Sequence, residues 1–447
     1  MSTAQIPTIF ALASAPGQAG VALIRVSGSA AVDSYLALTG VDTAPAARQA
    51  TYRKLTNPDD GQMIDQAVAV YFKGPASYTG EDVIEYTLHG SRAVVSKMLE
   101  VLGRCPDHRM AEPGEFTKRA FTNGKLDLTA AEAVGDLIHA ETEAQRILAL
   151  GQLEGALEQL YNRWADSLTR MLAHQEAEIE FPDEDMPEGI DDAVREKIDV
   201  LITEIDSHLE DNRRGERMRT GMQIAIIGAP NAGKSSLLNT LARREAAIVS
   251  DIAGTTRDVV EVSLNLGGYP VVICDTAGLR DQHADKVEAE GIRRAIGRAR
   301  DADLKIALFD VSRDGFDPST REMIDDNTLV VLNKIDQRAK GTQHDFAAAF
   351  EISVTQDQGI QDLLGEITAR VRGFFEAGGG APPLTRERHR ENLLQCRDFL
   401  YAALESPLPE LAAEDLRQAL QALGRITGRV DVEQLLDVVF KDFCIGK

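Results

Sequence analysis

The residues with the most specific chemical signature run from Gly228 to Ser235 and read Gly-Ala-Pro-Asn-Ala-Gly-Lys-Ser. They match G-x-x-x-x-G-K-S/T, the pattern of a phosphate-binding loop. Glycines in such a loop let backbone N–H groups turn toward a polyphosphate, which binds at the N-terminus of the following helix. Lys234 would reach the β- and γ-phosphates, and Ser235 would offer its hydroxyl to Mg²⁺. A strand predicted over 223–227 and a helix predicted from 236 onward provide the required context, against the alternative of a chance glycine-rich turn.

Two further polar stretches have the composition of the switch regions of a guanine-nucleotide hydrolase. The loop 254–258 reads Gly-Thr-Thr-Arg-Asp, and a threonine there can complete the Mg²⁺ shell and sense the γ-phosphate. The stretch 275–278 reads Asp-Thr-Ala-Gly at the end of a predicted strand. Asp275 would hold Mg²⁺ through water, and the amide of Gly278 would contact the γ-phosphate.

Recognition of the base is predicted at Asn-Lys-Ile-Asp, residues 333–336, after another strand. The Asp336 carboxylate can accept both N1–H and N2–H of guanine, a donor pair that adenine lacks. Lys334 would stack along the base, and 353–354 (Ser-Val) would supply a backbone amide to guanine O6. Four such elements in order on successive strand ends predict a GTPase, and Asn-Lys-x-Asp disfavours an ATPase.

The residue that orients the attacking water is not the usual one. Leu279 follows Gly278, where Ras-like switches carry a glutamine for this task. Glu288 is the candidate replacement because a carboxylate can accept a proton or orient water. Its ordinary alternative is a solvent-facing helical carboxylate.

The charge of the chain bears on its partners. Its 447 residues include 48 Lys and Arg against 71 Asp and Glu, a formal net charge of −23. Such a field repels nucleic acid in general, because phosphate binding needs clustered cations. A nucleic-acid partner would therefore need a local basic patch or the help of a second protein.

The composition is that of a globular protein, with 43% apolar and 27% charged residues. We expect a cytoplasmic protein, since no run reaches a membrane span and the N-terminus lacks a signal pattern. Its cysteines lack the spacing of a metal or redox site, and three of them are predicted to be plain core residues. The four are Cys105, Cys274, Cys396 and Cys444.

Periodicity predicts an α/β multidomain chain. Alternating strands and a helix over 91–102 indicate an N-terminal α+β domain, 1–118, and helical spacing follows over 119–215, ending in a charged hinge at 213–219. Strands alternate with helices over 216–376, which predicts a doubly wound mixed sheet of the Ras-like type. Helices predicted over 387–404 and 410–443 return the chain, in 377–447, to the helical domain, so that the nucleotide domain is an insertion.

The motifs together resemble the tRNA-modifying GTPase family called MnmE or TrmE. The resemblance includes GAPNAGKSSLLN at 228–239, AAIVSDIAGTTRD at 246–258, DTAGLR at 275–280 and NKID at 333–336. Outside the nucleotide domain it includes YTGEDVIE at 78–85, PGEFTKRAFTNGKLDL at 113–128 and the terminal FCIGK at 443–447. It therefore covers essentially the whole chain.

This resemblance implies a K⁺-activated GTPase that modifies C5 of the wobble uridine of tRNA. The family works with an FAD-dependent partner, MnmG, as a heterotetramer or larger assembly, and adds an aminomethyl or carboxymethylaminomethyl group. A tetrahydrofolate such as the 5-formyl form binds the N-terminal domain, which also makes the homodimer, and a folate supplies the one-carbon unit. The nucleotide domains dimerise when GTP and K⁺ are bound.

The resemblance also implies site residues. The K⁺ ligands would be Asn231, Ser250, Ile252 and Thr255; the Mg²⁺ ligands would be Ser235 and Thr256; and Glu288 would orient water. The GTP-binding positions would be Asn231, Ala232, Gly233, Lys234, Ser235, Ser236, Ser250, Asp251, Ile252, Ala253, Gly254, Thr255, Thr256, Asp275, Thr276, Ala277, Gly278, Asn333, Lys334, Asp336, Ser353 and Val354.

For folate, the matching residues are Arg25, Glu85, Lys125 and Lys447. The cations suit the carboxylates of a glutamate tail and Glu85 suits the donor edge of a pterin, while the alternative for each is a salt bridge. Cys444 matches a family cysteine, either catalytic or an inert thiol.

A second hypothesis is a regulatory or ribosome-assembly GTP switch with the same nucleotide domain. The folate constellation and the terminal Cys-Ile-Gly-Lys favour tRNA modification, whereas a KH domain with its G-x-x-G loop would favour the switch, and none is visible.

Overall fold

The computed structural model describes residues 6–180, 190–244, 261–275, 297, 299–313, 316–338, 346, 349–377, 381–430, 436, 439–440, 443 and 446. The chain divides into two compact units. The first comprises Met1–Gly135, Gln152–Thr169 and Leu420–Lys447, and the second comprises Asp136–Gly151 and Arg170–Ala419.

The first unit contains a six-stranded sheet. Its strands are β1 (Thr8–Leu12), β2 (Ala19–Ser27), β3 (Ala50–Thr56), β4 (Met63–Phe72), β5 (Val83–Gly90) and β6 (His108–Met110). The order is β3-β4-β5-β2-β1-β6, antiparallel except for the parallel pair β1 and β6. Helices α1 (Ala31–Thr39) and α2 (Arg92–Leu102) cover the sheet, and Tyr35 and Met98 bury their side chains against Phe10, Ile24 and Tyr86.

The second unit contains another six-stranded sheet, which carries the nucleotide motifs. Its strands are β7 (Met222–Ile227), β8 (Glu261–Leu266), β9 (Tyr269–Asp275), β10 (Leu304–Asp310), β11 (Thr328–Asn333) and β12 (Phe350–Ile352). The order is β12-β11-β10-β7-β9-β8, parallel except for the antiparallel edge strand β8. The fold class expected from the sequence, an α+β domain, a helical domain and a mixed nucleotide-binding sheet, is confirmed.

The remaining helices complete both units. They are α3 (Glu115–Thr122), α4 (Leu128–Ile138), α5 (Glu143–Leu153), α6 (Ala156–Glu180), α7 (Ile190–Leu209), α8 (Arg214–Thr220), α9 (Lys234–Arg244), α10 (Pro318–Glu322), α11 (Ile360–Glu376), α12 (Glu387–Glu405) and α13 (Pro409–Thr427). After the nucleotide-binding sheet, α12 packs against α7, where Arg195 Nη1 donates to Leu404 O at 2.9 Å. The chain thus returns to the helices that precede the nucleotide-binding sheet, while the bounds of the four predicted segments remain predictions.

Two predictions, a charged hinge at 213–219 and a helix over 410–443, were wrong. The segment read as a charged hinge contains helix α8, whose Arg217 Nε lies 2.9 Å from Asp303 Oδ2. The helix expected over 410–443 is broken, since α13 ends at Thr427 and Gly428 takes a left-handed φ of +83°. A Cβ at Gly428 would lie 2.7 Å from ring carbons of Phe121, so the break also allows close packing.

Candidate functional site

The parallel strands of the second unit bring the nucleotide motifs to one edge of the sheet. Strands β7, β9, β10, β11 and β12 run in the same direction, so their carboxyl ends meet there. Ligands of open α/β sheets bind at this edge. The phosphate-binding loop follows β7, Asp275 ends β9, and Asn333 ends β11.

The phosphate-binding loop has the backbone that its sequence predicts. Gly233 has a φ of +104°, and Asn231, although not glycine, has a φ of +64°. A Cβ on Gly233 would lie 2.4 Å from Asn333 Nδ2, which donates to Ala232 O at 2.8 Å. The loop therefore closes around a position that only glycine fits, and α9 begins within the motif, at Lys234.

Two of the predicted phosphate and metal residues are preorganised. Lys234 arches back over the loop, and its Nζ donates to Gly228 O at 2.8 Å and to Ala229 O at 2.9 Å. Ser235 Oγ donates to Asp275 Oδ2, and Asp275 is buried. A hydroxyl beside a carboxylate is an all-oxygen donor set that fits Mg²⁺.

The predicted base-recognition residues also lie together. Ser353 Oγ donates to Asp336 Oδ1 at 2.6 Å and so orients the carboxylate expected to recognise guanine. Val354 N donates weakly to Asn333 Oδ1 at 3.4 Å. Lys334 has a left-handed backbone, with a φ of +66°, and its Nζ donates to Asn231 O at 2.9 Å.

Asp310 belongs to this constellation, although none of the predicted sequence motifs contains it. Its Oδ2 accepts from Lys334 Nζ at 2.7 Å, and its Oδ1 accepts from Ser312 N and Oγ at 3.0 and 2.6 Å. Burial raises the pKa of Asp310, but the hydrogen bonds from Lys334 and Ser312 outweigh it and hold the pKa below its ordinary value. The available signal was its position as the last residue of a strand beside the one that precedes Lys334.

Several predicted site residues lie outside the described part of the chain. They are Ser250, Asp251, Ile252, Ala253, Gly254, Thr255, Thr256, Thr276, Ala277, Gly278, Glu288, Cys444 and Lys447. Their roles remain predictions.

In the first unit, two of the residues predicted to bind folate pair with each other. Arg25 and Glu85 are direct neighbours across β2 and β5, and Arg25 Nε and Nη2 lie 2.9 and 2.8 Å from Glu85 Oε1. The guanidinium also lies 5.2 Å from the ring centre of Tyr78 and 5.6 Å from that of Phe116. Lys125 Nζ donates to Pro75 O at 3.0 Å. The salt bridge considered as the alternative is thus present for Arg25, in a half-buried setting beside two rings.

An ion-pair network that was not predicted from the sequence lies in the same unit. Arg119 Nη1 donates to Glu81 Oε2 at 3.0 Å, and its Nη2 donates to Glu115 Oε1 at 2.9 Å. Glu115 also accepts from Arg109 at 2.6 Å. Because Glu115 and Arg119 belong to α3 and Glu81 belongs to the loop before β5, the network joins two motifs that are distant in sequence.

Comparisons with known proteins agree along the full chain. The family model described as the MnmE helical domain matches residues 128–444, and the GTP-binding protein TrmE N-terminus matches residues 8–125. A tRNA modification GTPase MnmE from Rhodospirillum rubrum is 50% identical over 99% of this chain and 100% of its own length. One from Parvibaculum lavamentivorans is 52% identical over 98% and 100%.

A solved structure of Era from Aquifex aeolicus is 23% identical and covers 42% of this chain and 69% of its own, with a TM-score of 0.27. Among the helices of the described ranges, none is long and apolar enough to cross a membrane.

Proposed function

The chain belongs to the MnmE family of tRNA modification GTPases, and we propose that it is the K⁺-activated GTPase of a two-protein tRNA-modifying system. Its partner is the FAD-dependent protein MnmG, in a heterotetramer or larger assembly. Together they form the aminomethyl or carboxymethylaminomethyl group at C5 of the wobble uridine, with a tetrahydrofolate as the one-carbon donor. The protein acts as a homodimer in the cytoplasm.

The proposed GTPase activity rests on the hydrogen bonds that join the predicted base-recognition residues to the phosphate-binding loop. Asn333 Nδ2 donates to Ala232 O and Lys334 Nζ donates to Asn231 O. An Asn-Lys-x-Asp stretch that contacts the loop in this way can hold guanine and phosphates in one geometry. Asp336, oriented by Ser353, then selects guanine over adenine through its two acceptor oxygens.

Asn231 is the proposed first ligand of K⁺. Its side chain is exposed, while its backbone carbonyl accepts a hydrogen bond from Lys334 Nζ. Ser250, Ile252 and Thr255 complete the proposed cation site. A bound K⁺ supplies positive charge next to the transferring phosphoryl group, as an arginine finger does in other GTPases.

The other proposed roles follow the hydrolysis of GTP. Ser235 and Thr256 hold Mg²⁺, Lys234 binds the β- and γ-phosphates, and Glu288 orients the attacking water. K⁺ binding favours dimerisation of the nucleotide domains, which excludes water other than the nucleophile.

Folate is proposed to bind near Arg25 and Glu85, with Lys125 and Lys447 toward its carboxylates. The half-buried ring of Tyr78 beside the Arg25 guanidinium supports this, because a flat pterin suits an aromatic and charged surface. The proposal gives Cys444 no catalytic role.

The experiment is GTP hydrolysis by the purified chain in K⁺ and in Na⁺ at equal ionic strength. We expect faster turnover in K⁺ for the wild type, loss of that stimulation in Asn231→Ala, and loss of turnover with intact GTP binding in Glu288→Ala. Asn239→Ala, at an exposed position of α9, is the matched control. Equal rates in both salts would overturn the K⁺ assignment and favour the plain GTP switch.

A further inference from the structure

We propose that Asp310 is a positioning residue of the nucleotide site, which fixes the ammonium group of Lys334 and, through it, the carbonyl of Asn231 in the phosphate-binding loop. The inference rests on the proposed nucleotide site and adds a residue that the guanine and phosphate motifs do not contain.

The register of the sheet brings Asp310 to this place. Asp310 pairs with Asn333 across the parallel strands β10 and β11, and Val311 N donates to Asn333 O at 3.1 Å. Lys334 is the next residue, and its left-handed φ of +66° turns the chain out of the strand at that point. A carboxylate at the end of β10 therefore lies beside the first residue that leaves β11.

Each oxygen of the carboxylate has its own partners. Oδ1 accepts from Ser312 N and Oγ, and Oδ2 accepts from Lys334 Nζ at 2.7 Å. The Asp310 side chain is only 7% exposed, against 27% for Lys334. Arg313 Nε lies farther away, at 3.6 Å, on a side chain that is 64% exposed. Lys334 is thus the main cation of Asp310, in a poorly solvated setting where a charge-assisted hydrogen bond is strong.

Lys334 in turn joins three segments. Its backbone follows β11, its ammonium binds Asp310 at the end of β10, and the same ammonium donates to Asn231 O at 2.9 Å. With both ends fixed, the aliphatic part of Lys334 can form a rigid wall of the base pocket. Without Asp310 the ammonium would lose its only carboxylate among the described residues and could turn toward solvent.

An asparagine at position 310 cannot replace the aspartate. An amide has one oxygen, so in either orientation its NH₂ group would face Lys334 or the two donors of Ser312. We expect Asp310→Asn to weaken GDP binding roughly tenfold to a hundredfold, the usual range for losing a hydrogen bond to a charged group.

The test measures binding of fluorescent GDP to the full-length protein in Na⁺ buffer without tRNA, so that neither K⁺ nor the modification reaction enters. The variants are Asp310→Asn, Lys334→Met and the double variant. Asp325→Asn is the matched control, because Asp325 accepts from a buried lysine of the same strand, Lys305, at the other end of β10.

If Asp310 acts through Lys334, the double variant binds GDP no more weakly than the weaker single variant, and Asp325→Asn binds like the wild type. Wild-type binding by Asp310→Asn, or additive losses in the double variant, would overturn the proposal. Unchanged GDP binding by Lys334→Met would overturn both this inference and the proposed nucleotide site. Weaker binding by Lys334→Met together with wild-type binding by Asp310→Asn would overturn this inference alone. If Asp310→Asn does not fold, Asp310→Glu replaces it. The expected result is weaker GDP binding by Asp310→Glu and no further weakening when Asp310→Glu is added to Lys334→Met. Wild-type GDP binding by Asp310→Glu would overturn the proposal.

Discussion

Single residues in left-handed backbone conformations shape the nucleotide site. Asn231 and Lys334 both have a positive φ without being glycine, which costs on the order of 1–3 kcal/mol for each residue. The hydrogen bond from Lys334 Nζ to Asn231 O joins the two strained positions directly. Strain of this kind persists where surrounding contacts determine the geometry, as they do at ligand-binding loops.

Gly233 gives the most direct test of the loop geometry. We expect Gly233→Ala to abolish measurable GDP binding, because its Cβ would lie 2.4 Å from Asn333 Nδ2 at a φ of +104°. Fluorescent GDP titration measures the loss. Gly268→Ala is the control: Gly268 has a comparable φ of +93°, but its added Cβ would meet nothing within 4 Å. Wild-type affinity in Gly233→Ala would contradict the assignment of this loop.

Residue types predicted the phosphate and base motifs because both are contiguous in sequence and have a fixed local geometry. The partners of single residues were not predictable in this way. Arg25 and Glu85 are 60 residues apart, and only the register of β2 against β5 makes them neighbours. Asp310 is an ordinary acidic residue until the register of β10 against β11 brings it to Lys334.

At the scale of elements, segments with a strong apolar pattern were predictable and segments without one were not. The apolar runs of β7, β9, β10 and β11 were recognised, whereas β3, β6 and α3 were missed. β3 alternates exposed and half-buried residues at the sheet edge, and β6 has only three residues. Helix α8 was read as a hinge because its sequence is dominated by charge, which tertiary ion pairs such as that between Arg217 and Asp303 compensate.

The ion pair between helix α3 and the loop before β5 provides the element-scale prediction. Arg119→Met leaves Glu81 and Glu115 without their shared cation in a buried setting, where Arg119 is 9% exposed. We expect a loss of about 3 kcal/mol in the free energy of unfolding of the first unit. Trp164, the single tryptophan, is buried in this unit and reports its unfolding in urea.

The control is Arg104→Met. Arg104 also lies four residues after a glutamate, Glu100, but is 54% exposed, so we expect little change in the free energy of unfolding.

Burial raises the pKa of Glu115, yet hydrogen bonds from Arg109, the Glu112 amide and Arg119 lower it overall. This stabilisation is therefore complete above the ordinary pKa of 4.5 and is lost as pH falls through the lower folded value. The deficit of Arg119→Met should shrink in acid, and a deficit independent of pH would contradict the ion-pair explanation.

At the scale of the whole molecule, charge constrains how a tRNA can be bound. A net charge of −23 opposes the approach of a polyanion. Binding of tRNA by a member of a tRNA modification family therefore needs a local basic patch or the help of a second protein, and the proposed two-protein system would meet this need. The net charge in the sequence predicts this need, but it contains no information on how either unit meets a partner.

The most direct measurement is reconstitution of the modification reaction. The purified chain is incubated with FAD-loaded MnmG, a reductant for the flavin, ammonium or glycine as the amine, unmodified tRNA, GTP, K⁺ and a tetrahydrofolate with an isotopically labelled one-carbon unit. The wobble nucleoside is then analysed by mass spectrometry. Parallel reactions omit MnmG, replace K⁺ with Na⁺, or contain Gly233→Ala. We predict label in the C5 substituent of the wobble uridine in the complete reaction alone. Hydrolysis of GTP without labelled uridine in that complete reaction would contradict the account and leave a GTP switch as the function.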